Sequence, residues 1–203
     1  MQQLFSVSWR FAEFNDPWKQ RKLGELAKIY RGSSPRPIKD KKWFSKDSNI
    51  GWLRISDVTS QNGVIEYTEQ HLSKLGMEKT RVLTNEHLIL SIAASVGKPV
   101  INKIPIGIHD GFIVFVGNKF NIYFMFQMLN YYKNVWNKYG QPGAQVNINS
   151  DIVKLQSFYF PKNKEQGKIV VLFKKIDQLI TDNDHKVENL KIVKKQLMQN
   201  LFI

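Results

Sequence analysis

The chain has 203 residues, 42% hydrophobic and 23% charged, which supplies one sizeable core and excludes extended disorder. Thirty Lys and Arg against seventeen Asp and Glu give a net charge of +13 and a pI near 9.8, a balance that points to a polyanionic partner. The absence of cysteine excludes disulfides, thiolate zinc sites and cysteine nucleophiles. The N-terminus has no cationic start followed by an apolar run, so a reducing cytoplasm is the expected setting.

The first sixteen residues read as a loosely attached lead-in ending at Asp16-Pro17. A short helix is predicted from Trp18 to Ala27 or beyond, with Leu23, Leu26 and Ala27 on one face. Arg31-Gly-Ser-Ser-Pro-Arg-Pro37 is a loop, because two prolines two apart forbid a regular helix. Short β-like runs follow at Gly51 to Ile55, Gly63 to Tyr67, His87 to Ile92, Pro99 to Asn102 and Phe112 to Val116, bounded by Gly, Asn and Pro. Their spacing suggests a curved mixed sheet or an incomplete barrel. The most apolar stretch, Ile104 to Val116, is interrupted by His109 and Asp110, which argues against a membrane span. Helical patterning returns over Ile122 to Trp136, with Tyr123, Phe126, Gln127 and Asn130 dividing core from surface. A glycine-rich loop, Tyr139 to Gln145, precedes a last strand at Phe158 to Phe160.

From Ile169 to Leu201, apolar residues recur at alternating steps of four and three. Taking a positions as Ile169, Ile176, Asn183, Leu190 and Leu197, and d positions as Phe173, Ile180, Val187, Lys194 and Leu201, eight of ten are apolar. Such a heptad is expected to form a coiled-coil rod of roughly 50 Å and to require a partner helix. Asn183 has two readings: a polar residue that fixes register at a cost in stability, or an exposed residue where the seam loosens. The whole is read as α+β, a mixed α/β globular domain with a long C-terminal helix.

Charge is clustered. Residues 17–46 carry ten Lys or Arg against two acids, a net of +8, interleaved with turn residues. Catalytic parts are harder to find. His71, His87, His109 and His185 lack metal-ligand spacing, and Ser95-Val96-Gly97-Lys98 lacks the spacing of a phosphate loop. Asp57, Glu66 and Glu69 offer carboxylates for a magnesium nuclease, but no recognisable pattern places the lysine that would complete one.

Taken in order, several segments resemble one half of the specificity subunit of a type I restriction-modification system. They are Trp18-Lys-Gln-Arg-Lys-Leu-Gly-Glu-Leu-Ala27, Arg31-Gly-Ser-Ser-Pro35, Ile55-Ser-Asp-Val58, Asp110-Gly-Phe112, Gly140 to Asn149, Glu165-Gln166, Ile176-Asp177 and Leu197-Met-Gln-Asn-Leu-Phe202. The resemblance implies a DNA target recognition domain over 17–161 and a long dimerisation and spacer helix over 162–203, after the lead-in at 1–16. It also implies a non-catalytic chain that directs methyltransferase (modification) and endonuclease (restriction) subunits to a bipartite duplex site. Those partners would use S-adenosylmethionine, ATP and magnesium, with no cofactor in this chain. Members of the family normally carry two recognition domains and two paired helices; this sequence has one of each. The expectation is therefore a homodimer reading inverted half-sites, with Ile169, Phe173, Ile176, Ile180, Asn183, Val187, Leu190, Leu197 and Leu201 on its seam.

Under that reading Arg36, Lys39, Lys41, Lys42 and Lys46 suit phosphates, projecting from a mobile, proline-bounded loop. Arg54, Ser56, Lys98, His109, Tyr139, Gln141 and Gln145 are the candidates for base edges. For the two glutamines the competing reading is a glycine loop that only packs between strand and helix. Trp43, Phe44, Trp52, Tyr123, Phe124 and Phe126 are assigned to the core, since a duplex offers no free base faces. Two other classes stay open: an interaction or RNA-binding scaffold built on the basic loop and coiled coil, and a magnesium-dependent nuclease.

Overall fold

A computed structural model describes residues 2–5, 9–139 and 148–201. The chain divides into two compact units, Met1–Lys162 and Asn163–Ile203. The first is built on three sheets whose strands are short because glycine, proline and asparagine interrupt them every few residues.

The largest sheet has five strands in the order β2 (Lys28–Arg31), β9 (Phe112–Val116), β6 (Leu88–Ser91), β7 (Pro99–Asn102), β4 (Val64–Ile65). All its pairings are antiparallel except β4 with β7, so the sheet is mixed. A three-stranded sheet orders β3 (Gly51–Leu53), β8 (Ile106–Ile108) and β5 (Arg81–Leu83), with β3 parallel and β5 antiparallel to β8. Leu53, Leu83, Ile106 and Ile108 from this sheet share one core with Ile65, Ile89, Val100, Phe112 and Val114 from the larger one. β6, β7 and β8 are buried at every residue, which explains continuous apolar runs in place of alternation.

The two-stranded sheet joins β1 (Lys19–Lys22) to β10 (Ser157–Phe160), antiparallel, with Lys19 opposite Phe160. This corrects the helix expected from Trp18. Lys-Gln-Arg-Lys is exposed at all four positions and carries no apolar period, so only its partner strand makes it a strand. The helix is reduced to one turn, α2 (Leu23–Leu26), yet Leu23, Leu26 and Ala27 are all buried as the pattern required.

Helices fill the remaining faces. α1 (Gln2–Phe5) is packed rather than loose: Leu4 and Phe5 are buried, and the Phe5 carbonyl accepts a 3.1 Å hydrogen bond from the Tyr132 hydroxyl. Two short helices not anticipated are α3 (Ile55–Ser60) and α4 (Lys74–Glu78), the latter capped by Ser73. α5 (Ile122–Tyr131) starts at Asn121, whose side chain accepts from the Tyr123 and Phe124 amides, and it buries Phe124, Met125, Met128 and Leu129. Tyr123 and Phe126 are only half-buried. A 3₁₀ stretch, Lys133–Tyr139, follows, and α6 (Ser150–Leu155) is capped by Asn149 in the same manner as α5.

The second unit is one helix, α7 (Asn163–Leu201), whose 39 residues correspond to roughly 58 Å. It runs through Gly167 and starts six residues before the heptad pattern does. Ile176, Ile180, Val187, Leu190, Leu197 and Leu201 are exposed.

Candidate nucleic-acid interface

The basic segment does not hang free. Gly32 passes so close to the end of β8 that a Cβ would overlap the carbonyl oxygens of Ile108 and His109. The Gly32 amide donates to Phe112 O at 2.9 Å and the Ser33 amide to Ile108 O at 3.1 Å, stitching the loop to 108–112. Asp110 then gathers it. Its carboxylate accepts from Ser34 Oγ at 3.0 Å and from Arg36 Nη2 at 3.0 Å, and its carbonyl accepts from Arg31 Nε at 2.6 Å. Burial would raise the Asp110 pKa, but the Ser34 hydrogen bond and the charges of Arg36, His109 and Arg31 outweigh it and hold the carboxyl below its usual range. Farther along, Trp43 Nε1 donates to Pro37 O at 2.9 Å and Asp40 caps the 3₁₀ turn Lys41–Trp43. The expected mobile loop is thus anchored at both ends, at the far one by the Ser73 amide donating to Trp43 O at 2.9 Å, through backbone pairing that sequence does not display.

Anchoring the loop opens a cleft of about 580 Å³ between it and the three-stranded sheet, lined in part by Arg36, Lys39, Lys41, Arg54, Gln70 and His109. Trp52 and Phe44 form apolar walls, so residues assigned to the core also face the cleft; Trp52 is nevertheless only 3% exposed. A second depression of about 390 Å³ shares Lys41, Phe44 and Gln70 with the first and adds Ser45, Lys46, Glu69 and His71, so the two adjoin along a groove. Asp110 is the only carboxylate among the described residues lining the larger part.

His109 sits on the floor, with ring centroids 5.7 Å from Trp52 and 4.6 Å from Phe112. Burial lowers its pKa below the ordinary histidine value, with the nearby Asp110 opposing the shift. Its Nδ1 accepts the Gly111 amide at 2.9 Å and lies 3.7 Å from Asp110 Oδ1, beyond hydrogen-bond reach. Arg54 leaves β3 and donates through Nη1 to Gln70 Oε1 at 3.1 Å. Beneath that pair Asp57, 1% exposed, accepts from the Arg54 amide at 2.8 Å and from the Glu69 amide at 3.3 Å. Its carboxylate is therefore committed to the backbone. Among the described residues no group of His, Asp or Glu is arranged to hold a metal ion.

Five of the sequence candidates meet in the larger cleft (Arg36, Lys39, Lys41, Arg54 and His109), and Lys46 lines its extension. Lys42 turns away, 2.9 Å from Asp40 Oδ2 and over the Trp43 ring. Ser56, Lys98 and Tyr139 line neither part of the groove: Gly97, next to Lys98, packs on Trp136, and Tyr139 lies under the Lys138 ammonium. Gln141 and Gln145 fall outside the described residues. Gln70 was missed. It reaches the cleft because the bridge between Gly51 and His71 and the bond from Trp52 N to Gln70 O lay that segment along β3, a pairing with no local sequence signal.

Comparison with known proteins places these features in a family. Residues 15–191 match the model described as type I restriction modification DNA specificity domain. Among solved structures, the HsdS subunit from Thermoanaerobacter tengcongensis is similar with a TM-score of 0.67 and 16% identity, covering 91% of this chain and 44% of that one. A chain from a study of the complex assembly and conformational transition of the type I R-M system gives 0.72 at 16% identity, covering 97% and 49%. The type I restriction-modification S subunit from M. genitalium gives 0.60 at 13% identity, covering 85% and 42%. At these identities the likeness is one of fold, and the chain spans less than half the length of each.

Proposed function

The chain belongs to the type I restriction modification DNA specificity domain family, and from that premise we propose that its globular unit reads part of a duplex DNA target for enzyme subunits that bind the long helix. The observation that carries this reading is the groove lined by Arg36, Lys39, Lys41, Lys46 and Arg54, five cations against the two carboxylates of Asp110 and Glu69. Cations neutralise phosphates and set register; fixed donors discriminate base edges. Lys39, Lys41 and Lys46 take the first role and Arg54 and His109 the second.

In this reading the chain performs no chemistry itself. Methylation and cleavage belong to modification and restriction subunits that bring S-adenosylmethionine, ATP and magnesium. α7 displays Ile176, Ile180, Val187, Leu190, Leu197 and Leu201 to solvent, an apolar stripe that needs a cover. A second copy is the simplest one, and it would produce a two-fold assembly that reads two inverted half-sites.

The test is competition. A labelled duplex bound by the full chain should be displaced at lower concentration by unlabelled duplex DNA than by structured RNA of equal length and charge. Preferential displacement by RNA overturns the reading and favours an RNA-binding scaffold. Light scattering tests the assembly: a mass of twice 23.7 kDa supports self-pairing, and a monomer at every concentration removes it.

A further inference from the structure

Resting on the DNA-reading role above, we propose that Arg54, Gln70 and His109 form a donor-rich reading head that selects a guanine, with buried Asp57 as its positioning residue. The polarity of each group follows from the bonds it already makes. Gln70 has one acceptor oxygen, and Arg54 Nη1 takes one of its two lone pairs at 3.1 Å; the amide nitrogen, with two N–H groups, has no hydrogen-bond partner among the described residues. Arg54 spends one of its five N–H groups on that bond and keeps the rest. The Gly111 amide donates to His109 Nδ1 at 2.9 Å, so the neutral ring carries its proton on Nε2, which makes the free nitrogen a donor as well. All three residues line the same cleft.

A surface dominated by donors discriminates among base edges. In the major groove guanine presents two acceptors, N7 and O6, whereas adenine pairs an acceptor with a donor, and cytosine offers a donor alone. An adenine or cytosine amino group would confront N–H groups of the head and leave both unpaired, at a cost that favours guanine. Thymine offers one acceptor in place of two. Asp110, the carboxylate that could instead receive a cytosine amino group, already accepts from Ser34 at one oxygen and from Arg36 at the other, which reduces its capacity to receive one.

Positioning separates this head from a phosphate contact. A phosphate asks for charge, which Lys39 and Lys41 supply on flexible stems; reading two atoms of one base asks for a fixed plane. Arg54 and Gln70 have that plane. One Asp57 oxygen holds the Arg54 amide at 2.8 Å and the other holds the Glu69 amide at 3.3 Å, so both backbones are tied to the same buried carboxylate. The Gln70 carbonyl is held in turn by the Trp52 amide at 2.7 Å and Thr68 Oγ1 at 2.9 Å.

The experiment selects sites for the full chain from a library of random duplexes, then measures binding of the best site and of its single-base variants. The expected site contains a G·C pair at which substitution costs roughly 5- to 150-fold. Replacing that guanine by 7-deazaguanine, which lacks the N7 acceptor, should lower affinity for the wild-type chain and have no effect on Arg54→Lys. Arg54→Lys keeps the charge and loses the fork, so the discrimination ratio at that pair should fall toward one. Asp57→Asn should lower the same ratio by a smaller factor while discrimination at the other positions of the site stays intact. A ratio that survives Arg54→Lys, or a loss shared equally by every sequence, identifies a phosphate contact and overturns the proposal. A wild-type chain that prefers no sequence would overturn the reading role itself, whereas a preference that Arg54 does not control overturns only the guanine head.

Discussion

The globular unit and the long helix treat apolar side chains in opposite ways. Phe112, Ile113, Val114 and Phe115 are fully buried in a sheet that needs no other chain to close it. Along α7, by contrast, every apolar residue from Ile176 onward is exposed, from 41% at Ile176 to 75% at Leu201. Its exposed stripe also contains Asn183 and Lys194, both polar, so it is less apolar than a folded core. The difference separates two arrangements: one unit is stabilised by its own packing, while the other presents an apolar stripe that its own helix leaves uncovered.

Substitutions on either side can break that distinction. Phe112→Ala empties a fully buried site and should cost about 3–5 kcal/mol in chemical denaturation. Leu190→Ala should leave the denaturation midpoint of dilute protein unmoved and weaken self-association by about 2 kcal/mol, roughly thirtyfold in dissociation constant by concentration-dependent light scattering. If Leu190→Ala instead lowered the dilute midpoint as much as Phe112→Ala, the helix would be part of the monomer core and the contrast would be lost.

A smaller effect sharpens the comparison inside the globular unit, between a cation held by a carboxylate and two that line the cleft. Lys39 and Lys41 line the cleft, whereas Lys42 is held by Asp40 at 2.9 Å. Replacing Lys39 and Lys41 together by Ala should reduce the slope of log affinity against log salt by about two, similarly on all duplexes. Lys42→Ala should change the slope by less than the average of those two. Equal effects would place all three on the same phosphate track.

The two regions were also unequally legible. The bounds of β7 and β9 follow from the sequence because Pro-Val-Ile-Asn and Phe-Ile-Val-Phe-Val are apolar, β-branched or aromatic, and flanked by turn residues. The helix was legible as a heptad, although it begins at Asn163, before the pattern does. β1 was illegible because a strand of four polar residues exists only through its pairing with β10. The cleft shows the same division: clustered charge pointed to Lys39 and Lys41, which line it, but Gln70 enters through long-range pairing. The anchoring of the 32–40 loop depends on contacts with 108–112, more than seventy residues away in sequence.

The mildest perturbation is a proton on His109. Burial among Trp52 and Phe112 lowers its folded-state pKa below the value near 6.5 that it regains on unfolding. Below pH 6.5 the unfolded chain therefore binds a proton that the folded chain resists, so stability is fully present above that pH and is lost as pH falls through the folded pKa. Protonating Nδ1 also requires breaking its bond with the Gly111 amide. The opposing attraction of Asp110 limits the loss without reversing it, and the lowered Asp110 pKa places that carboxyl's own titration in more acidic solution, outside the window. Urea midpoints measured from pH 7.5 to 5 should accordingly decline more steeply for the wild-type chain than for His109→Gln, which has no proton to gain. His71, His87 and His185 remain in both proteins, so their contributions cancel in the difference. Parallel curves would mean that the His109 ring is hydrated in solution, and the cleft floor would then have to be open to water rather than closed by Trp52 and Phe112.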